Sequence, residues 1–193
     1  MTQSISPEPF NRPRRRNRMV EDEEWIRSFL RRAAVGVLAT VSGGQPFASP
    51  NLFYYDEEKN VVYLHTAGQG RTRTNIEGHG KVCFSAFEMG RLLPAEKIVD
   101  YSTEYASVMV FGCAEIVTDL AEMRYALQHQ VDKYFPHKKP GRDYAPFTDK
   151  DILRTTVYRL VIEQWSAKRH AETEDFPGAF YYGERSEFIT PET

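Results

Sequence analysis

The chain has 193 residues, 41% hydrophobic and 13% aromatic, with a formal net charge of −2. That length and apolar content suit one well-buried domain and leave too little chain for two of ordinary size. The near-neutral balance gives no nucleic-acid partner to expect, and no apolar run approaches the roughly 20 residues of a bilayer span or forms a secretory leader, so the expectation is a cytoplasmic protein without a membrane partner.

Residues 1–19 carry three prolines and a cluster of arginines at Arg12, Arg14, Arg15, Arg16 and Arg18, with no apolar period; they read as an extended basic arm. The domain proper is expected over 20–169, followed by a polar tail over 170–193. Asp22 is placed to cap a helix whose apolar positions Trp25, Ile26, Phe29, Leu30 and Ala33 recur at helical spacing, with Glu24, Arg27, Arg31 and Arg32 turned outward.

Three strands are predicted next, over 35–41, 47–55 and 60–66, separated by short polar turns that imply antiparallel hairpins. A short helix over 70–77 and a strand over 81–89 follow, then a long connection over 90–105. A long strand over 107–117 has Gly112 as a predicted bulge. Asp119 with Glu122 resembles a capping box, and Leu120, Met123, Leu127, Val131 and Tyr134 share one helical face up to Pro136. Thr148 caps a short turn, a last strand spans 155–165, and an aromatic island at Phe180, Tyr181 and Tyr182 is expected to dock on the body or on a partner.

Five or six antiparallel strands with inserted helices and no βαβ alternation predict a small closed or split β-barrel. A Gly-x-Gly-x-x-Gly turn after the first strand is absent, which argues against dinucleotide binding on a parallel sheet. Cys83 and Cys113 lie in β-like runs without paired spacing, and His79, His129, His137 and His170 show no ligand spacing. Neither a disulfide framework nor a metal site is therefore expected.

The segment 62–76 carries the most chemistry. A strand ends at His65 and Thr66, Gly68 and Gly70 free the backbone, and Arg71 and Arg73 bring positive charge where new helical N–H groups point outward. That layout is an anion pocket suited to a phosphate.

With its order of features, the chain resembles the FMN-binding split-barrel superfamily of pyridoxamine 5'-phosphate oxidase-like proteins, and within it the nitroimidazole-resistance (Nim) family. The resemblance runs from about residue 25 to 168. It rests on Gly36-Val37-Leu38-Ala39-Thr40-Val41, on Pro46 with Ser49-Pro50-Asn51-Leu52-Phe53-Tyr54, and on Tyr63-Leu64-His65-Thr66-Ala67 with Gly70-Arg71. It continues through Tyr105 to Gly112 and closes with Thr156-Val157-Tyr158 and Trp165-Ser166-Ala167-Lys168.

The resemblance implies a six-stranded antiparallel split β-barrel that forms a homodimer, with FMN at the interface and residues from both chains around each flavin. The phosphate would be held by Thr66, Gly70, Arg71 and Thr72, with Ser107 and Lys168 adding to the site. Ser49, Pro50, Asn51 and Leu52 would face the flavin edge, and Trp165 would pack on the ring. Family members commonly show a lysine where this chain has Thr72, and an arginine where it has Ala106. FAD, a deazaflavin or haem are the alternative cofactors.

His65 is the candidate catalytic residue, because an imidazole titrates near neutrality and can orient or protonate a substrate. The implied activity is a flavin-dependent oxidoreductase acting on a small substrate, for which a nitroaromatic such as a 5-nitroimidazole is the leading choice. A non-catalytic flavin- or small-ligand-binding protein is the alternative. Pyridoxamine 5'-phosphate oxidation fits less well, because after Trp165 the chain offers only Lys168, Arg169 and His170 to hold a substrate phosphate.

Overall fold

A computed structural model describes residues 11–183. The arm enters as a short 3-10 turn at Arg16–Arg18 and a two-residue strand β1 (Met19–Val20) that pairs with the end of the last strand, Met19 opposite Lys168. Helix α1 (Glu23–Arg32) begins where predicted: the Asp22 carboxylate accepts from the Glu24 and Trp25 amides, and Ile26, Phe29 and Leu30 are buried. Strands β2 (Gly36–Ser42), β3 (Gln45–Asn51), β4 (Phe53–Asp56) and β5 (Val61–Ala67) follow, then α2 (Arg71–Gly78), β6 (Lys81–Leu93) and β7 (Ser102–Ile116). Helices α3 (Leu120–Tyr134) and α4 (Asp149–Ile152) precede β8 (Thr155–His170).

The sheet has eight strands, against the six expected, in the antiparallel order β3-β2-β6-β7-β8-β5-β4 with β1 alongside β8. One reason for the extra count is that the run predicted as a single strand over 47–55 divides at Leu52. Its first half pairs with β2 and its second with β5, so the two ends of the sheet are one residue apart in sequence. The sheet therefore curls back on itself, although no ladder joins β3 to β4 and the barrel stays open. The predicted long connection over 90–105 is shorter, because β6 runs on to Leu93 and β7 starts at Ser102. Gly112 does mark a shift of register between β7 and β8, and the Val161 carbonyl lies only 1.9 Å from where a Cβ would stand.

Two cores result. The larger lies between α1 and the inner sheet face, around Phe29, Leu38, Phe53, Phe84, Val110 and Tyr158. The smaller lies between α3, α4 and the outer side of β5, with Tyr63, Met123, Leu127, Ile152 and Val157. Because side chains alternate along a strand, β5 serves both: Val62 and Leu64 point to the first core, Val61 and Tyr63 to the second. The chain after β8 returns to its own body, where Phe180 bridges Leu92 through a pair of backbone hydrogen bonds. Among the described residues no helix is long and apolar enough to cross a membrane, and no cluster of His, Cys, Asp or Glu is placed to hold a metal.

Candidate functional site

Gly70 precedes α2 with φ +149, a conformation that favours glycine, and no side chain caps the helix. The first N–H groups of α2 therefore have no intrahelical acceptor and face outward beside Arg71. Arg71 is exposed and makes no ion pair or side-chain hydrogen bond among the described residues, which leaves its guanidinium available to an anion. The neighbouring positions are already committed. Arg73 donates to the Gly68 carbonyl at 2.8 Å and to Glu77 at 2.8 Å, bracing the loop from behind. Thr72 is 6% exposed, so it offers its backbone more readily than its hydroxyl. The Thr66 hydroxyl is held by the Tyr158 hydroxyl at 2.9 Å. Of the predicted cradle, Gly70 and Arg71 are open to a ligand, while Thr66 and Thr72 lie in the wall behind them.

His65 projects from the other side of β5, toward α3. Its Nδ1 lies 2.9 Å from the Gln130 carboxamide, a hydrogen bond that fixes the orientation of the ring. His65 and Leu52 line one cavity of about 230 Å³ with Gln130, Tyr134, Phe135 and Phe147. Gln130 is absent from the sequence expectation. Its signal was a polar residue on the apolar stripe of α3, one helical turn from Ala126 and Leu127.

Cross-strand registers place the remaining residues. Ser107 pairs with Phe87 on one side and Lys168 on the other. In the next row on this face, Pro50, Val37, Ser85, Met109 and Ser166 run across five strands. This face is open and mixed, with serines and Lys168 beside apolar side chains of which Phe87 is 62% exposed and Met109 38%. The alternate rows turn inward. Ser49 shares a row with Leu38, Phe84, Val110 and Trp165, and Asn51 shares one with Gly36, Ala86, Val108 and Ala167. The Asn51 side chain donates to the Ser49 carbonyl at 2.7 Å. Trp165 packs against the main core with the Arg27 guanidinium 5.0 Å above its ring, so it faces away from Lys168.

Lys168 is also far from Arg71 along the chain's own frame. Thr66 is opposite Thr156, and Lys168 lies twelve residues further along β8. At roughly 3.3 Å per residue that is about 40 Å of strand.

The sequence matches the family profile described as pyridoxamine 5'-phosphate oxidase over residues 22–169. The chain belongs to that family. It is a family of flavin-binding proteins, as the sequence resemblance implied. Solved structures with a similar fold include the flavocytochrome Anf3 from Azotobacter vinelandii, 24% identical, covering 94% of this chain and 86% of that one with a TM-score of 0.75. A candidate 5-nitroimidazole antibiotic resistance protein from Bacteroides thetaiotaomicron is 21% identical over 80% of this chain and 90% of its own, with a TM-score of 0.64. An FAD- and haem-binding protein from Mycobacterium smegmatis is 20% identical over 80% of this chain and 74% of its own, with a TM-score of 0.72. Among curated proteins nothing matches. At these identities the structures establish a shared fold, and the family profile establishes the membership.

Proposed function

We propose that this family member is an FMN-dependent oxidoreductase, active as a homodimer, that reduces a small electrophile such as a nitroaromatic of the 5-nitroimidazole type. The observation that carries the reading is the separation of Arg71 from Lys168. Within one chain the uncapped helix start with its exposed arginine lies near one end of β8, and the open sheet face bearing Ser107 and Lys168 lies near the other, which favours a site completed by a second chain. A second copy laid on the face around Phe87 and Met109 buries exposed apolar side chains and adds its own Ser107 and Lys168 to the first chain's cradle.

The residues suit an FMN phosphate. Arg71 and the free N–H groups of α2 match its charge, and the open space around Gly70 leaves room for the close approach of an anion. Bound flavin supplies an electron pair, taken from a nicotinamide or a partner reductase. A nitro group that takes up one pair and two protons becomes a nitroso group with loss of water. His65, oriented by Gln130 and lining the cavity, is the group that holds and delivers a proton there.

His170 supports this reading over pyridoxamine 5'-phosphate oxidation. It is 6% exposed and bonded to the Thr103 carbonyl and Glu172, so the post-Trp165 segment has no free histidine for a substrate phosphate. The test is the visible spectrum and mass of the purified protein, followed by anaerobic reduction of a 5-nitroimidazole with NADH or NADPH. A yellow dimer that turns over, with activity lost in His65→Ala, is expected. A haem spectrum overturns the flavin assignment, a yellow protein inert to every reductant favours a binding protein, and full activity in His65→Ala overturns the role of His65.

A further inference from the structure

The arm that pairs with β8 carries charges that the fold leaves unused. Arg12, Arg14, Arg15, Arg16 and Arg18 form no ion pair and no side-chain hydrogen bond among the described residues. The arm is nonetheless held in place, because Pro13 is buried and Met19 and Val20 pair with Lys168 and Ala167. Two of its arginines, Arg12 and Arg16, line a cavity of about 360 Å³ between the arm, the start of α1 and β8. Glu21, Glu23 and Trp165 line it with them. Glu23 is committed to Arg27 at 3.4 Å, and the Arg27 guanidinium lies 5.0 Å from the centre of the Trp165 ring. Glu21 is exposed and has no side-chain partner among the described residues. The cavity therefore offers two free guanidinium groups, one free carboxylate and a half-buried indole.

We propose that this cavity binds a nucleotide, with Arg12 and Arg16 on its phosphates, Glu21 on its ribose hydroxyls and Trp165 beside its base. Guanidinium forks match phosphate oxygens, and two of them on one cavity suit a diphosphate. The carboxylate removes the simpler anions. A bare phosphate is repelled by Glu21, whereas a ribose diol donates to it. The run Glu21-Asp22-Glu23-Glu24 adjoins the arm. It disfavours a long polyanion such as nucleic acid or an anionic membrane surface, either of which needs an unbroken positive face. The indole supplies a flat surface on which a base stacks. The volume lies within the ~300–1,000 Å³ of small-ligand pockets. Two sources share this chemistry, a free nucleotide and the ADP end of a nicotinamide dinucleotide. The site uses none of the residues of the phosphate cradle at the start of α2, so it stands whether or not the oxidoreductase reading does.

The full chain, as purified, is titrated by calorimetry with ADP, adenosine, inorganic pyrophosphate, oxidised NADP and a short DNA duplex, in about 150 mM salt so that loose surface attraction is screened. ADP is expected to bind at least about tenfold more tightly than adenosine, which lacks the charge-assisted bonds, and than pyrophosphate, which lacks the base. In the double variant Arg12→Ala with Arg16→Ala the advantage of ADP over adenosine disappears, while the melting temperature is kept. Oxidised NADP that competes with ADP and binds more tightly assigns the dinucleotide as the source, and weaker binding assigns a free nucleotide. Pyrophosphate equal to ADP, the duplex bound ahead of ADP, ADP bound only once flavin is removed, or an advantage that survives in the double variant each overturns the proposal. If the double variant does not fold, Glu21→Ala decides. It is expected to abolish the preference for ADP over dideoxy-ADP, and an unchanged preference overturns the proposal. A colourless protein that binds ADP removes the oxidoreductase reading alone, and a yellow protein that turns over and binds no ADP removes this inference alone.

Discussion

Arg91 and Glu104 meet across the β6–β7 hairpin as a two-point pair, Nε to Oε2 at 2.8 Å and a terminal nitrogen to Oε1 at 2.7 Å, with both side chains 14% exposed. The pair ties down the chain that leaves β8. Arg91 also donates to the carbonyls of Thr173 and Glu174, and Glu104 accepts from the Glu172 amide.

These donors, Arg91 first, hold the Glu104 carboxyl down to about 2. A carboxylate with a depressed folded pKa gives stability that is present above its unfolded value, near 4.5, and is lost as pH falls through the folded one. Between pH 5 and about 2 the protection of the Glu172 amide from hydrogen exchange should therefore fall. In Glu104→Gln it should already be low at pH 5 and stay flat below. An equal pH response in the two proteins would assign the loss to other carboxylates.

Lys133 behaves oppositely. Its ammonium sits 3.6 Å over the Phe53 ring and donates to the Ala33 carbonyl at 2.8 Å, and burial pushes its pKa down to about 8. The unfolded chain then holds the extra proton between about pH 8 and 10.5, so this lysine's contribution to stability rises with pH across that window. Urea midpoints of the parent protein and Lys133→Met should converge or cross in that direction between pH 7 and 9.5. Groups common to both proteins cancel in the difference, including Tyr63 and Tyr125, whose pKa values burial raises. A difference independent of pH would show that Lys133 titrates as an exposed lysine.

The sequence read best where one residue type had one local job. The Asp22 cap, the apolar stripe of α1, the Gly112 irregularity and the Thr148 cap all follow from short-range rules, and each stands where the pattern puts it. Long-range partition was not legible. The change of neighbours at Leu52 follows Ser49-Pro50-Asn51, a break signal that the single-strand reading of 47–55 passed over, and which strand each half then joins is settled by β2 and β5. The same holds for the site. Register decides that Ser49 and Trp165 face inward while Pro50 and Lys168 face outward, and Gln130 joins His65 only through the packing of α3 on β5.

Gly36 shows how tightly the row behind the open face is packed. A Cβ there would stand 2.0 Å from the Phe84 ring tip, and that ring is held by Phe53 at 4.9 Å in an edge contact. Gly36→Ala should cost about 1–3 kcal/mol, the range for overpacking a filled core. Adding Phe84→Leu should recover part of that loss. The double-mutant cycle in urea tests the contact, and additive losses would place the strain elsewhere.

Arg71 and Arg73 differ by two positions and should separate binding from stability. Arg71 is exposed and makes no ion pair among the described residues, so Arg71→Ala should leave the melting temperature of the flavin-free protein within error. FMN affinity should fall about tenfold or more, as expected for losing a charge-assisted hydrogen bond to phosphate. Arg73 is tied to Glu77 and to the Gly68 carbonyl. Arg73→Ala should lower the melting temperature through the loop, and it should weaken FMN mainly by loosening the turn, so that Arg73→Lys restores little because an ammonium lacks the planar fork that meets both partners. Flavin-fluorescence titration beside thermal unfolding reads both quantities. Arg71→Ala with unchanged affinity would move the phosphate away from the start of α2.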